Sequence, residues 1–111
     1  MRRLCRVEDL APGTSRGFGP APGGFTGLFA VGSPDVRVYV NACPHIGVAL
    51  DWTAHEFLTR DKQHIVCATH GALFAIGTGL CIQGPCHGDS LEQVPVTIDD
   101  GWILVPDDAG L

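Results

Sequence analysis

Apolar and polar residues alternate along two short stretches of this chain. Residues 36–40 read Val-Arg-Val-Tyr-Val, and residues 94–98 read Val-Pro-Val-Thr-Ile. A period of two is the pattern of a half-buried β-strand. After the second stretch, residues 99–101 read Asp-Asp-Gly, a hairpin-turn signal, and residues 102–105 supply an apolar returning strand. The pattern therefore predicts strands joined by tight turns.

Other short apolar runs predict the remaining strands. These are Leu4–Asp9, Gly27–Val31, His64–Cys67, Ala72–Ile76 and Leu80–Ile82. Ala11–Gly24 is predicted as a connector, and Leu50–Gln63 as a segment with at most a short helical turn. Fifteen glycines and eight prolines indicate frequent turns. Together these features predict an all-β fold, a small antiparallel β-sandwich or barrel.

Length and composition narrow the class of protein. The 111 residues, 45% of them apolar, predict one domain over residues 1–111 with its own core rather than a disordered chain. No apolar stretch approaches the ~20 residues that span a bilayer, and the N-terminus is too charged for a secretory signal. We therefore expect a cytoplasmic protein without a membrane partner. The net charge of −5 argues against nucleic acid as a partner.

Two short cysteine–histidine pairs carry the candidate chemistry. Residues 43–45 read Cys-Pro-His and residues 67–70 read Cys-Ala-Thr-His, with Gly47 and Gly71 just beyond each histidine. The pattern is C-x-H, a gap of 21 residues, then C-x2-H. Thiolates are soft donors suited to iron–sulfur clusters, and neutral imidazoles in place of two thiolates raise the reduction potential. The spacing predicts a metal centre for one-electron transfer.

These segments resemble the cluster-binding boxes of the Rieske family. The boxes lie at residues 41–47, Asn-Ala-Cys-Pro-His-Ile-Gly, and at residues 67–74, Cys-Ala-Thr-His-Gly-Ala-Leu-Phe. A Gly-Pro pair at residues 84–85 matches the family's third loop, and the similarity runs from about residue 36 to residue 105.

The resemblance implies one [2Fe–2S] cluster per chain, held in a subdomain at one end of the β-domain. Cluster-binding loops are expected at about 41–50, 65–76 and 82–88. Cys43 and Cys67 would bind one iron, and His45 and His70 the other.

The same resemblance implies a soluble Rieske-type ferredoxin. Such a protein is an electron carrier rather than an enzyme, and it passes electrons from an NAD(P)H-dependent flavoprotein reductase to a terminal, ring-hydroxylating oxygenase. Three alternatives stay open. The chain could be an electron-transfer small subunit of a larger oxidoreductase such as nitrite reductase, or a structural Cys2His2 zinc module. It could also be an oxygenase itself, which would need a separate 2-His-1-carboxylate iron site.

The chain departs from the family pattern in two ways. The gap between the boxes is longer than in many members, and the excess falls in Leu50–Gln63, which could form a lid or docking surface. Respiratory members carry a disulfide and two hydroxyl groups near the cluster, whereas this chain has Val48, Ala72 and Phe74 at such positions, and Ala68 or Thr69. Fewer hydrogen bonds to the cluster predict a potential of roughly −150 mV rather than +300 mV.

The remaining cysteines, histidines and aromatics have less specific interpretations. Cys81 and Cys86 form a C-x4-C pair that is not expected to bind the cluster; they could pack as small apolar side chains or form a labile disulfide. Trp52 and Phe57 could shield the cluster, contact a partner or pack in the core. The last group comprises Cys5, expected to be half-buried on the first strand, His55, His64 and His87 on the surface, and Trp102 in the core.

Overall fold

The part of the chain that the structure describes contains ten short strands. The computed structural model describes residues 1–11, 13–19, 27–32, 36–44, 49–51, 55–68 and 71–109. The strands are β1 Arg2–Arg6, β2 Ser15–Phe18, β3 Leu28–Gly32, β4 Val36–Val40, β5 His64–Val66, β6 Leu73–Ala75, β7 Cys81–Gln83, β8 Gln93–Val94, β9 Thr97–Asp99 and β10 Trp102–Val105. Within these ranges the only helical element is a 3-10 turn at Val7–Asp9, and no helix is long and apolar enough to cross a membrane.

The strands form three antiparallel sheets. Their orders are β1-β10-β9, β2-β3-β4-β8 and β5-β6-β7. The prediction of a small all-β antiparallel sandwich is therefore confirmed, and most predicted strands are found close to their expected bounds. The predicted hairpin turn is also present, because Asp100 and Gly101 both adopt positive φ, 50° and 77°, between β9 and β10. Two such residues in succession are typical of a type I′ turn.

The four-stranded sheet is the middle layer of the fold, because both of its faces are buried. All five residues of β3 are inaccessible to solvent. Since successive side chains of a strand point to opposite faces, the strand contributes alternately to two separate cores. Tyr39 lies in one core and Val38 in the other. The prediction that residues 36–40 are half-buried is wrong for the end of β4, where Val38, Tyr39 and Val40 are all buried.

Two hydrophobic cores separate the layers. The first core lies between the middle sheet and the β5-β6-β7 sheet, and the second lies between the middle sheet and the β1-β10-β9 sheet. The first core consists of Phe29, Val31, Tyr39, Cys43, Leu50, Phe57, Ile65, Cys67, Ala72, Phe74, Cys81, Cys86 and Leu91. The second consists of Cys5, Leu10, Leu28, Ala30, Val38, Val40, Val94, Ile103, Val105 and Ala109.

Two segments differ from their predicted structure. The predicted connector Ala11–Gly24 contains β2, whose Ser-Arg-Gly-Phe sequence has no apolar alternation and which pairs with β3 along its whole length. In the described part of Leu50–Gln63 there is no helical turn. Instead Leu58 forms a bridge with Ile65, which extends the β5-β6-β7 sheet.

Three side chains differ from their prediction in how much of their surface is buried. Cys5 is buried, with 5% of its surface exposed, rather than half-buried. Ile98 is 51% exposed although the alternation favoured burial. Ile103 and Val105 occupy the inner face of β10, so the preceding Trp102 is left half-buried. The guanidinium groups of Arg3 and Arg6 lie 4.8 and 5.2 Å from its ring centroid, which makes it a cation–π platform.

Candidate metal centre

The two predicted cysteine ligands enter the same core from different sheets. Cys43 follows the end of β4 in the middle sheet, and Cys67 follows β5 directly. Their exposed fractions are 3% and 1%, and both belong to the first core. The predicted histidine ligands, His45 and His70, lie outside the described residues, as do Trp52, Val48 and Thr69. The structure therefore brings together the thiol half of the predicted ligand set.

The first ligand loop is closed by the side chain of Asn41. Its Oδ1 accepts a hydrogen bond of 2.8 Å from the backbone N–H of Leu50, and its Nδ2 donates to Asp51 Oδ1 at 3.0 Å. Asn41 thus joins the two ends of the loop that carries Cys43. This role of Asn41 was not predicted from the sequence. An asparagine at the end of a strand was the available signal, since such side chains commonly bond to nearby backbone.

Backbone hydrogen bonds shape the second ligand loop and join it to the first. The N–H of Cys67 donates to the carbonyl of Ala72, and the N–H of Gly71 donates back to the carbonyl of Cys67, both at 2.9 Å. Gly71 adopts a φ of +69°, as expected for the glycine beyond the histidine. The N–H of Ala68 donates to the carbonyl of Leu50 at 2.9 Å, so the two loops hold each other in place.

The third loop packs directly against the second. Gly84 has a φ of +112°, and a Cβ built at this position would lie 2.9 Å from Cα of Ala72. Only a residue without a side chain permits this approach. The third loop therefore contacts the segment that follows Cys67, and the expectation that it covers the cluster stays a prediction.

Replacing Gly84 by alanine is expected to weaken cluster retention. The new methyl group would collide with the backbone at Ala72, so the third loop must move away from the second. Gly88 is a matched control: it also has positive φ, +96°, yet a Cβ there would meet nothing within 4 Å. Gly84→Ala should lose its iron–sulfur absorbance several times faster than Gly88→Ala during incubation with a chelator. Equal rates would show that strain at a positive φ, and not the collision with Ala72, causes the loss of the cluster.

Cys81 and Cys86 also lie in the first core, at the two ends of the third loop. Their exposed fractions are 1% and 2%. Burial, followed by the hydrogen bond to Cys81 and the neighbouring Cys81 and Cys43 thiols, together raise the pKa of the Cys86 thiol to about 12. Both thiols lie outside the predicted ligand set.

Two positions that carry hydroxyl groups in respiratory family members have no hydrogen-bond donor in their side chains in this protein. Ala72 and Phe74 are buried in the first core, and neither has a polar side-chain atom. The hydroxyl of Tyr39 also lies near this region, but it donates to the carbonyl of Ile76 at 2.5 Å. The expectation of a potential near the lower end of the family range stays a prediction, with these apolar side chains as its structural basis.

The donor set fits an iron–sulfur cluster. Two buried thiols on mutually bonded loops provide the soft ligands such a cluster requires, and an apolar core surrounds them. Among the described residues, no group of three or more His, Cys, Asp or Glu side chains is arranged to hold a metal ion. The predicted histidine ligands, His45 and His70, follow Cys43 and Cys67 closely in the sequence.

Comparison with known families agrees with this chemistry. A family model described as Rieske [2Fe-2S] domain matches residues 2–97. The chain therefore belongs to the Rieske [2Fe–2S] domain family. Its cofactor is accordingly one [2Fe–2S] cluster. A comparison with curated proteins gave no match.

Solved structures with the same fold include ferredoxins of similar length. A ferredoxin of Sphingomonas yanoikuyae B1 is 28% identical with a TM-score of 0.72, covering 94% of this chain and 95% of that one. The ferredoxin of carbazole 1,9a-dioxygenase from Nocardioides aromaticivorans IC177 is 26% identical with a TM-score of 0.72, covering 94% of both. The terminal oxygenase of carbazole 1,9a-dioxygenase from Novosphingobium sp. KA1, 17% identical with a TM-score of 0.74, shares the fold over 94% of this chain and 28% of its own.

Proposed function

We propose that this protein is a Rieske-type ferredoxin that carries one electron at a time. The observation that carries the proposal is the convergence of Cys43 and Cys67 in one apolar core, on loops that hydrogen-bond to each other. The proposed ligands are Cys43 and Cys67 on one iron, and His45 and His70 on the other. The whole of residues 1–111 is proposed to act as a single domain, with cluster-binding loops at about 41–50, 65–76 and 82–88.

The residues around the site set the conditions for electron transfer. When bound, the [2Fe–2S] cluster accepts and releases one electron at a potential that rises when imidazoles replace thiolates. The apolar side chains of Ala72 and Phe74 lower the number of hydrogen bonds available to stabilise added negative charge. Two contacts join the ends of these loops: the Asn41 side chain bonds to Leu50 and Asp51, and Gly84 packs against Ala72.

The proposed partners are a flavoprotein reductase as electron donor and a terminal oxygenase as electron acceptor. Support comes from the similar ferredoxins, one of which belongs to a carbazole 1,9a-dioxygenase. A related structure is described as a complex of reduced oxygenase and oxidized ferredoxin. Residues 63–111 contain no lysine or arginine, and Asp89 and Glu92 are exposed just beyond the third loop. A basic docking surface on each partner would complement this charge.

Catalysis and the cellular compartment are the two remaining parts of the proposed function. We propose an electron carrier without its own catalytic site, because ferredoxins of matching length rather than whole oxygenases cover nearly the same span. We propose action in the cytoplasm, where thiols stay reduced; Cys5, Cys67, Cys81 and Cys86 are free thiols in the structure.

The first experiment is EPR spectroscopy of anaerobically purified, dithionite-reduced protein together with its visible absorption. A brown protein with a rhombic signal of low average g would establish a histidine-ligated [2Fe–2S] centre. The second step is stopped-flow reduction by a flavoprotein reductase, followed by reoxidation with a terminal oxygenase. A colourless protein that contains zinc after anaerobic purification would contradict the proposal and favour the structural Cys2His2 module.

Replacing His70 by cysteine is expected to lower the reduction potential. The substituted thiolate adds a negative charge next to the iron, so adding an electron becomes less favourable. An EPR-monitored redox titration measures the change in cluster-containing protein. His87→Cys, an exposed position in the third loop, is the control and should leave the potential close to that of the wild type. An unchanged potential in His70→Cys would contradict the assignment of His70 as a ligand.

A further inference from the structure

The proposed function leaves one buried pair of cysteines without a role. Cys81 and Cys86 are not in the proposed ligand set, yet both are almost completely buried at the two ends of the third loop. Their Sγ atoms are 2.7 Å apart, and Cys86 donates a hydrogen bond to Cys81. Both are free thiols in the structure. The third buried cysteine outside the ligand set, Cys5, lies in the second core.

Backbone hydrogen bonds hold the two ends of this loop together independently of the thiols. The N–H of Cys81 donates to the carbonyl of Asp89 at 2.8 Å, and the N–H of Gly88 donates to the carbonyl of Cys81 at 3.2 Å. The N–H of Asp89 donates to the carbonyl of Cys86 at 2.8 Å. A disulfide requires two Cβ atoms already close and facing each other. The two Sγ atoms already lie 2.7 Å apart, so bond formation needs little movement of the backbone.

We propose that Cys81 and Cys86 are a redox-active dithiol that hydrogen peroxide converts to a disulfide across the third loop. One thiol is oxidised by peroxide to a sulfenic acid, with release of one water. The other thiol then attacks this sulfur, the S–O bond breaks, and a second water leaves. In total two thiols and one peroxide give one disulfide and two water molecules.

The burial of the pair selects the oxidant. Exposed fractions of 1% and 2% leave no room for a bulky thiol-exchange partner, whereas peroxide is small and neutral. The neighbouring thiol traps the sulfenic acid before a second peroxide can oxidise it irreversibly. In a reducing compartment, disulfides of this kind are typically transient. The proposal does not depend on the electron-transfer function, because it concerns only these two side chains.

The test uses the cluster-containing protein, with its thiols reduced and its cluster in the oxidised state, treated under anaerobic conditions with one equivalent of hydrogen peroxide. After denaturation and alkylation with N-ethylmaleimide, mass spectrometry of the intact chain counts the blocked thiols. We expect three alkylated cysteines after peroxide and all five after chemical reduction. Fragmentation of the unreduced chain should give no separated fragments between Cys81 and Cys86, because a disulfide closes that segment.

Three variants sharpen the result. Cys86→Ser should abolish the disulfide and leave Cys81 as a sulfenic acid, because one equivalent of peroxide oxidises a thiol no further, and Cys81→Ser should do the same at Cys86. Cys5→Ser, in the second core, should behave like the wild type. Five alkylated cysteines in peroxide-treated wild type would overturn the proposal, as would a disulfide that includes Cys43 or Cys67. Either result comes from the wild-type protein, so a folding defect in a variant cannot mask it, and neither bears on electron transfer.

Discussion

Replacing Cys67 by alanine is expected to abolish binding of the [2Fe–2S] cluster. Cys67 directly follows β5 in the first core and is only 1% exposed. The N–H of the next residue, Ala68, donates to the carbonyl of Leu50 in the loop that carries Cys43. A cluster cannot be held by the remaining ligands when one of two thiolates on the same iron is lost. The purified variant should be colourless, with iron near background and no EPR signal after reduction.

Cys5→Ala is the matched control, because it removes a buried thiol of the same size from the second core. This variant should keep its colour, its iron content and its EPR spectrum, with a small loss of stability. If Cys67→Ala retained the cluster spectrum unchanged, the ligand assignment would be wrong, and Cys81 or Cys86 would have to be considered in its place. Loss of the cluster in both variants would indicate a general sensitivity of the fold.

The candidate ligands could be predicted from the sequence because each pair is local. A cysteine and a histidine two or three positions apart need no knowledge of the fold to be recognised as donors. The contacts that hold the ligand loops in place could not be predicted in this way, since they join residues that lie far apart or on different loops. The contact of Gly84 with Ala72, and the bond from Ala68 to Leu50, follow from how the loops pack. No spacing rule in the sequence shows them.

The fold was predictable to a similar extent. Strands with apolar alternation and a sharp turn were found, as with β9 and β10, because the local pattern and the turn chemistry agree. β2 was missed because its pairing with β3, rather than its own composition, makes it a strand. Tyr39 is buried because the β5-β6-β7 sheet packs on its face of the middle sheet. The alternation in β4 suggested one solvated face, but its side chains enter two different cores.

The segment Leu50–Gln63 was predicted as a possible lid or docking surface, and core packing was one interpretation of its Phe57; Leu50 and Phe57 are both buried in the first core. Phe57 has no exposed surface, and its ring stacks on Phe29 with a centroid distance of 4.3 Å and an interplanar angle of 5°. The N–H of Phe57 donates to Ser15 Oγ at 3.2 Å, and its carbonyl accepts a hydrogen bond of 2.9 Å from the N–H of Val66. The segment is thus attached to β2 and β5 through this residue.

Phe57→Ala is therefore expected to lower the free energy of unfolding by about 3–5 kcal/mol, the usual cost of removing a buried phenylalanine ring. The cavity would lie beside Phe29 and below Gly17, where a Cβ would come within 3.2 Å of the Phe57 ring. Phe18→Ala removes the same ring from a half-buried position and should cost about 1 kcal/mol. Urea unfolding of both variants, monitored by circular dichroism, measures the difference. A segment that acted only as a movable lid would give equal, small losses, because opening a lid leaves the core intact.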